Sequence, residues 1–466
     1  MPSRMRRNPI PNAIPTPRSV AAHVLMRVET DGAYASAALD AELARLVQLS
    51  PADRRLATEL VYGVLRCGRF LDTRIGKYAK KGVAKLNAEV RIHLRVAVYQ
   101  IAILERIPAF AAVSEAVDLV RKAEGEHASK FANAVLRRIA ADVQEHGKVP
   151  RLDAVRSSLD QQLVRLVSEA LGSREEAYAM LCAGPMPPPL GIRVHANRSK
   201  PDDQTTVESD VDSWVKLLAN AGPGLRVERG RVCANAICVT GAGRPADLPG
   251  CGVGWSVQEE GSQVVAASLG VRAGETVLDA CAGRGNKTLV LAEQVGSTGC
   301  VDAADLHESK LVQLRERALS LGLSVRDVYA VDWSVGVGDV PDHYDRVLVD
   351  APCSGVGTIR RRPEIALRDL SLSLPGLREL QVQILLAAST RCRTGGTVVY
   401  SVCSVLRAEA EGVVEAVLSR GALLEPVEFG ADHEVQPIRG KKSVRLLPRE
   451  HGTDGYFLAC FRKLGI

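Results

Sequence analysis

The stretch Arg-Val-Leu-Val-Asp-Ala-Pro-Cys-Ser-Gly at residues 346–355 decides the fold of this chain. Its apolar β-type run leads directly into a turn that carries Asp350 and Cys353. A second run, Thr-Val-Val at residues 397–399, leads into Tyr-Ser-Val-Cys-Ser, which carries Cys403. Open α/β sheets bind ligands at the carboxyl ends of their parallel strands. If the two strands are neighbours, both thiols open into one crevice.

Strand-like and helix-like runs alternate from residue 252 onward. Thr-Val-Leu at residues 276–278 leads into a glycine-rich turn, and Gly-Cys-Val at residues 299–301 leads toward Asp305. This alternation of strands and helices is typical of a doubly wound, Rossmann-like sheet. It predicts a C-terminal α/β domain over residues 251–466.

The first third of the chain has helical rather than strand-like periodicity. Ser50 and Pro51 form a helix start, with a serine cap and a proline in the first turn. We predict an all-α domain over residues 18–144 and a disordered basic tail over residues 1–17, which are rich in proline and arginine. Residues 145–250 are expected to hold connecting helices and a small α+β domain.

Composition restricts the kind of protein this is. The chain has 466 residues, of which 46% are hydrophobic and 24% are charged. No apolar run reaches the length of a membrane span, and the first residues lack the apolar core of a secretory signal. The 11 cysteines lack paired metal-ligand spacing. We therefore expect a cytoplasmic protein with reduced thiols, no membrane association and no bound metal, and a monomer.

Positive charge is concentrated at the amino-terminal end. The net charge is +6, and residues 1–150 hold 24 Lys and Arg against 15 Asp and Glu. A basic domain attracts phosphate backbones. Because aromatic residues are only 4% of the chain, we expect RNA contacts there to be electrostatic rather than stacked.

The glycine-rich turn predicts a nucleoside-type cofactor site. Glycines allow a ligand to approach the backbone, and a helix start offers free N–H groups. Asp305, 20 residues beyond Gly285, is expected to accept ribose hydroxyls, with Asp332 near the adenine. The absence of a phosphate-loop Lys-Ser pattern favours S-adenosylmethionine over ATP. The predicted cofactor-binding residues are Cys281, Ala282, Gly283, Arg284, Gly285, Asn286, Lys287, Asp305, Asp332 and Asp350.

Two cysteines and an aspartate in such a crevice fit covalent chemistry on a pyrimidine. Cytosine C5 is a poor nucleophile, but addition of a thiolate to C6 makes C5 able to accept a methyl group. Asp350 is the expected acid that hydrogen-bonds or protonates N3. The predicted catalytic residues are therefore Cys403, Cys353 and Asp350.

Two groups of motifs resemble known families. Ile-Pro-Ala at residues 107–109, Ala-Val-Ser-Glu-Ala-Val at 112–117 and Phe-Ala-Asn-Ala-Val-Leu-Arg at 131–137 resemble the NusB-type RNA-binding helical domain. The two cysteine segments resemble RNA (cytosine-5) methyltransferases of the Sun/NOL type. That resemblance implies an activity on small-subunit ribosomal RNA. It also implies that Cys403 is the nucleophile and that Cys353 assists product release.

Alternatives remain open at this point. DNA cytosine-5 methyltransferases attack from the Pro-Cys segment, which makes Cys353 the competing nucleophile. The same motifs suit a transfer-RNA cytosine-5 methyltransferase, or an RNA-binding ribosome-assembly factor with weak catalysis.

The chain also departs from the family pattern in its glycine turn and after the second cysteine. Arg284 and Asn286 stand where that family has proline and glycine, and we expect asparagine to tolerate a left-handed backbone there. Arg-Ala-Glu-Ala at residues 407–410 keeps one acid of the family's Pro-Glu-Glu-Asn, which weakens any supporting role for Glu409.

Four arginines are predicted RNA contacts. Three of them form a basic run beside the catalytic loop, where we expect them to bind phosphates that flank an extruded base. The fourth lies in the strand-like run at residues 190–194 of the α+β segment, near Asn197. These residues are Arg360, Arg361, Arg362 and Arg193.

Overall fold

A computed structural model describes residues 15–183, 188–195, 207–430 and 433–465. Residues 1–14 of the predicted tail and residues 185–187 of the proline cluster lie outside these ranges. The chain divides into two compact units: one ends at Leu159 and also includes Arg361–Leu367, and the other holds the remaining residues.

The first unit is entirely helical in its described part. Ser50 caps α3 as predicted, because its side chain accepts a hydrogen bond from the Asp53 amide. The helices are α1 (Pro17–Asp31), α2 (Ala35–Arg45), α3 (Pro51–Arg66), α4 (Gly68–Gly76), α5 (Ala88–Ala102), α6 (Ala109–His146) and α7 (Arg151–Ser158), with 3-10 turns at Val83–Lys85 and Pro363–Leu367.

Helix α5 forms the centre of this unit. It is buried along most of its length, including its polar residues His93 and Gln100. Tyr99 packs against α3 at Gly63, where an added Cβ would lie 2.0 Å from Cζ of the ring. Close contact between the two helices therefore depends on that glycine.

The second unit begins with α8 (Gln161–Leu171) and α9 (Arg174–Leu181), followed by a small antiparallel sheet. The strand order is β2-β3-β1-β4, and Trp255 is fully buried in its core. The elements are β1 (Leu190–Val194), α10 (Val207–Ala219), β2 (Arg226–Arg229), β3 (Ala236–Thr240) and β4 (Trp255–Val257).

The rest of the second unit is a mixed eight-stranded sheet with helices on both faces. Its strands are β5 (Thr276–Asp279), β6 (Cys300–Asp305), β7 (Val328–Ala330), β8 (Tyr344–Asp350), β9 (Cys392–Val402), β10 (Leu424–Pro426), β11 (Ser443–Leu446) and β12 (Tyr456–Lys463). Its helices are α11 (Glu260–Ser268), α12 (Asn286–Val295), α13 (Glu308–Ser320), α14 (Leu370–Ser389), α15 (Glu411–Ser419) and α16 (Pro448–His451).

The strand order is β10-β12-β9-β8-β5-β6-β7, with β11 paired to β12. Strands β5 to β9 pair in parallel, whereas β12 is antiparallel to β9. The order reverses between β5 and β8, which is the switch point where open sheets of this kind bind ligands. The predicted fold class, a helical domain followed by a small α+β part and a Rossmann-like sheet, is confirmed.

The core fixes the direction of the central strands. Val347 and Val349 of β8 pack with α14 and α15, whereas Leu348 packs with α11 and α12 on the opposite face. A shift of one residue would exchange these faces, so the register that brings Asp350 opposite Ser401 is strongly determined. No helix in the described ranges is both long and apolar enough to cross a membrane.

Candidate active site

The two cysteines lie together at the carboxyl ends of adjacent strands. Strands β8 and β9 are parallel neighbours, as predicted, and the Sγ atoms of Cys353 and Cys403 are 3.3 Å apart. The hydrogen bond to the Cys403 sulfur and burial both raise the pKa of Cys353 well above its ordinary value. Cys353 is therefore held as a protonated thiol beside the second sulfur.

Asp350 forms the polar wall next to this pair. Its Oδ1 accepts a hydrogen bond of 2.6 Å from the Ser401 hydroxyl, and its Oδ2 lies 2.6 Å from Nζ of Lys287. Burial disfavours the charged form of Lys287, but the attraction of the Asp350 carboxylate is stronger than this effect. The pKa of Lys287 is therefore raised. A lysine of the glycine turn is thus joined to the aspartate of the cysteine segment.

Glu409 holds the loop that carries Cys353. Its carboxylate is fully buried and accepts hydrogen bonds from the Ser354 amide (2.7 Å) and hydroxyl (2.5 Å). Gln381 of α14 donates to the same carboxylate at 3.1 Å and to the Pro352 carbonyl at 2.9 Å. The sequence interpretation gave Glu409 little weight, and it is instead the main anchor of this loop.

A close backbone contact supports the other cysteine. The Gly357 amide donates to the Cys403 carbonyl at 3.0 Å, and the Gly455 amide donates to the Gly357 carbonyl at 2.8 Å. A Cβ at Gly357 would lie 1.9 Å from the Gly455 oxygen. No side chain larger than hydrogen fits at this position without moving the backbone around Cys403.

The glycine turn joins β5 to α12 as predicted. The Ala282 amide donates to the Ala304 carbonyl at 2.9 Å, which ties the turn to β6. Gly283 and Gly285 have φ values of 56° and 84°. A Cβ at Gly285 would lie 2.6 Å from the Leu314 side chain, whereas one at Gly283 would meet open space. The backbone at Gly283 is therefore accessible to a ligand.

Acidic side chains follow the neighbouring strand ends. Asp305 accepts a hydrogen bond of 2.9 Å from the Gly283 amide, so it also shapes the turn. Asp332 is exposed after β7 and accepts hydrogen bonds from Ser334, which lower its pKa. Asp279 is fully buried, and this burial raises its pKa to about 6 despite a 2.7 Å hydrogen bond from Thr288.

The two unusual residues of the turn are held by one arginine. Nη1 of Arg317 donates to the Arg284 carbonyl and to Oδ1 of Asn286, both at 2.8 Å. Asn286 is the first residue of α12, and the left-handed conformation belongs to Gly285 before it. The expectation of a left-handed asparagine is wrong, because the side chain of Asn286 acts by accepting a hydrogen bond.

Two of the four predicted RNA-contact arginines are buried in the protein. Arg193 is 2% exposed and donates to Gln258 and Glu293. Arg360 is 8% exposed and pairs with Asp454. This differs from the prediction for both residues, because their donors already serve partners within the fold.

The other two belong to the first compact unit. Arg362 is exposed, with its guanidinium 5.0 Å from the centre of the Tyr34 ring, and Arg361 is half-buried. Among the described residues, no group of three or more His, Cys, Asp and Glu side chains forms a metal-binding cluster.

Family models match both parts of the chain. The model described as 16S rRNA methyltransferase RsmB/F matches residues 266–462, and the NusB family model matches residues 15–141. The probable ribosomal RNA small subunit methyltransferase B of Bacillus subtilis (strain 168) is 32% identical over 468 residues, which cover 96% of this chain and 99% of the relative. The chain belongs to the ribosomal RNA small subunit methyltransferase B family.

Further similarities agree with this membership. The ribosomal RNA small subunit methyltransferase B of Pseudomonas putida (strain KT2440) is 30% identical, with coverage of 96% of this chain and 98% of that protein. The crystal structure of PH0851 superposes with a TM-score of 0.78 at 22% identity and covers 97% and 100% of the two chains. The family's fold therefore extends over nearly the whole length.

Members of this family use S-adenosylmethionine, and the residues of this chain fit that cofactor. The open space at Gly283 admits a ligand to the turn, and Asp305 and Asp332 lie at the ends of the next two strands. The start of α12 adds free N–H groups at the same edge. When bound, the cofactor supplies an electrophilic methyl group.

Proposed function

We propose that this enzyme methylates C5 of a cytosine in 16S ribosomal RNA through a covalent bond between Cys403 Sγ and C6. The observation that carries the proposal is the pair of thiols 3.3 Å apart, beside an aspartate–lysine pair, at the switch point of the sheet. Two thiols, a carboxylate and an ammonium group converge there, next to the cofactor turn.

The proposed reaction begins with the thiolate of Cys403. It adds to C6, and the electron pair of the C5–C6 double bond moves toward N3 and C5. As this charge develops, Asp350 donates a proton to N3, and the Lys287 ammonium beside it stabilises the carboxylate that remains. C5 then forms its bond to the methyl group, and the bond between that methyl group and the sulfonium sulfur of the cofactor breaks.

Elimination completes the proposed cycle. C5 loses its proton to solvent, and the electron pair of that C–H bond restores the C5–C6 double bond. The bond between Cys403 and C6 breaks to release the thiolate, and N3 returns its proton to Asp350. Cys353 donates a hydrogen bond to the departing sulfur, a role supported by its protonated state and by the short distance between the sulfurs. The same observations favour Cys403 over Cys353 as the attacking thiolate.

The proposed RNA target follows from the relatives and from geometry. Relatives that match almost end to end carry names that specify small-subunit ribosomal RNA. A base inside a helix cannot reach two thiols at a sheet edge, so the target cytosine must leave its stack. Naked or partly assembled RNA is therefore the proposed substrate.

Methylation mapping tests this function. Bisulfite sequencing of small-subunit ribosomal RNA is compared between the parent strain and a deletion strain that expresses the wild type, Cys403→Ala or Cys300→Ala. Cys300 is a matched control because it lies at the opposite end of β6 from the site. We expect loss of one 5-methylcytosine, restored by the wild type and by Cys300→Ala but not by Cys403→Ala. An unchanged map would reject ribosomal RNA as the substrate.

A further inference from the structure

The glycine turn lacks the residue that restrains its conformation in the family pattern. Arg284 and Asn286 stand where that pattern has proline and glycine. Proline fixes its own φ at about −65° and so removes many conformations that an open turn could adopt. Arginine imposes no such restraint. If the turn is to hold a ligand, another part of this chain has to fix its conformation.

Helix α13 packs against the turn at two points. Leu314 contacts Gly285, where an added Cβ would lie 2.6 Å from Cγ of the leucine. Arg317 donates from Nη1 to the Arg284 carbonyl and to Oδ1 of Asn286, both at 2.8 Å. Because Leu314 and Arg317 are three residues apart on one helix, they lie on the same face. This face of α13 therefore contacts three consecutive residues of the turn.

The first half of the turn is held by the sheet. The Gly283 amide donates to Oδ2 of Asp305, at the end of β6, at a distance of 2.9 Å. The Ala282 amide donates to the Ala304 carbonyl, also at 2.9 Å. These two bonds fix residues 282 and 283, and Arg317 supplies the two bonds that fix residues 284 and 286. The turn is thus anchored by β6 on one side and by α13 on the other.

Arg317 occupies a position that is unfavourable for a cation. It is half-buried, and burial together with the nearby charges of Arg193 and Arg284 lowers its pKa. Within the part of the chain that the structure describes, no acidic side chain forms an ion pair with it. Its partners are two neutral oxygens of the turn, and hydrogen bonds from a charged donor are stronger than those between neutral groups. The arrangement therefore stabilises the turn rather than the arginine.

The residues that Arg317 holds lie in sequence between the open backbone of Gly283 and the lysine of the active site. A Cβ at Gly283 would meet open space, so a ligand can approach the backbone there. Asn286 is the first residue of α12, and it is followed by Lys287, whose Nζ lies 2.6 Å from Oδ2 of Asp350. A displacement of Asn286 would move this lysine and the free N–H groups at the start of α12.

We propose that Arg317 is a positioning residue for S-adenosylmethionine, and that its hydrogen bonds take the place of the family's proline in fixing the glycine turn. This role depends on the family's cofactor and not on the proposed attack on cytosine, because it concerns the turn alone. Loss of the Arg317 guanidinium then weakens cofactor binding. A turn in which proline and glycine are restored no longer needs that guanidinium.

A double-mutant cycle tests both consequences. Isothermal titration calorimetry with S-adenosylmethionine measures the Kd of the full-length wild type, of Arg317→Met, of the double variant Arg284→Pro, Asn286→Gly, and of the variant that combines all three changes. Methionine keeps much of the length of the arginine side chain but donates no hydrogen bond. The matched control is Arg315→Met, at an exposed position of the same helix.

We expect Arg317→Met to raise the Kd for S-adenosylmethionine by about tenfold, since two hydrogen bonds from a charged donor are lost. The same substitution in the proline–glycine background raises Kd by less than about twofold, because proline then restrains the turn. Arg315→Met keeps the wild-type Kd. The Tm without cofactor stays close to the wild-type value in every variant, whereas the rise in Tm that the cofactor produces is smaller in Arg317→Met.

Three results would overturn the proposal. One is an unchanged Kd in Arg317→Met, and another is an equal rise in Arg315→Met, which would reflect the loss of positive charge alone. The third is a rise of undiminished size in the proline–glycine background, which would show that Arg317 does not replace proline. If that background fails to fold, the comparison of the two single variants decides the positioning role. Methylation of an atom other than cytosine C5 would reject the proposed function and leave these Kd values unchanged, so the two failures are distinguishable.

Discussion

Single residues hold the reactive sulfurs in position. Cys403 is held through its carbonyl by Gly357, and Gly357 is held by Gly455. Arg360 fixes the same region, because it pairs with the buried carboxylate of Asp454, next to Gly455. The reactive thiol thus depends on backbone contacts whose residues take no part in the chemistry.

Substitution of Gly357 by alanine tests this dependence. The new Cβ would lie 1.9 Å from the Gly455 oxygen, so the backbone must move. We expect destabilisation of about 1–3 kcal/mol and a loss of about 100-fold in methyl transfer, because small displacements of reacting groups are costly. Thermal melts and a methyl-transfer assay measure the two effects.

The matched control for this variant is Gly376→Ala. Gly376 lies within α14, and its added Cβ would meet no atom within 4 Å. It should gain about 0.5–1 kcal/mol of stability and keep full activity. Equal behaviour of the two alanine variants would contradict the proposed role of Gly357.

The site residues that follow strand ends could be predicted from the sequence, and those that act across the fold could not. Cys353, Cys403 and Asp350 come directly after apolar runs, so their shared edge follows from strand pairing alone. Arg360 lies close to the cysteine segment in sequence and Arg193 lies in β1, but the ion pairs of both residues join positions far apart in the chain. Local patterns carry no information about such partners.

At the scale of elements, a buried carboxylate ties the cysteine loop after β8 to the segment after β9. Glu409 accepts hydrogen bonds from Ser354 and from Gln381, so it joins the loop to α14 as well. The sequence does show that Glu409 keeps one acid of the family pattern. Only the fold shows that this side chain is buried. The loop that carries Cys353 is therefore held by Glu409 and Gln381 from neighbouring segments.

Glu409→Gln replaces one acceptor oxygen with a donor that faces other donors. We expect a loss of about 1–3 kcal/mol in stability and a fall of about 10- to 100-fold in kcat, with little change in the KM for RNA. Glu415→Gln, an exposed acid on α15, is the control and should behave as the wild type. A rise in KM without a fall in kcat would argue against the anchoring role.

At the scale of the whole molecule, the helical unit is also a source of pH-dependent stability. His93 lies in the central helix α5, and burial lowers its pKa to about 4. The unfolded chain takes up a proton below pH 6.5 and the folded chain does not. Stability from neutral His93 is therefore present above pH 6.5 and is lost as the pH falls toward 4.

The expected size of this effect is roughly 3 kcal/mol across that window. Denaturant unfolding of the helical unit at several pH values measures it in the wild type and in His93→Gln, which should show a flatter pH dependence. His127→Gln, at an exposed position on α6, should keep the wild-type slope. A wild-type slope in His93→Gln would show that other groups control this transition.

The most direct test of the central claim is to trap the bond between the protein and its RNA. RNA with 5-fluorocytidine at the target position should stop the reaction after methyl transfer, because fluorine cannot leave C5 as a proton does. Mass spectrometry of the digested complex then identifies the linked residue. We predict a link at Cys403, retained in Cys353→Ser and absent in Cys403→Ser. A link at Cys353, or methylation of normal RNA by Cys403→Ser, would contradict the account.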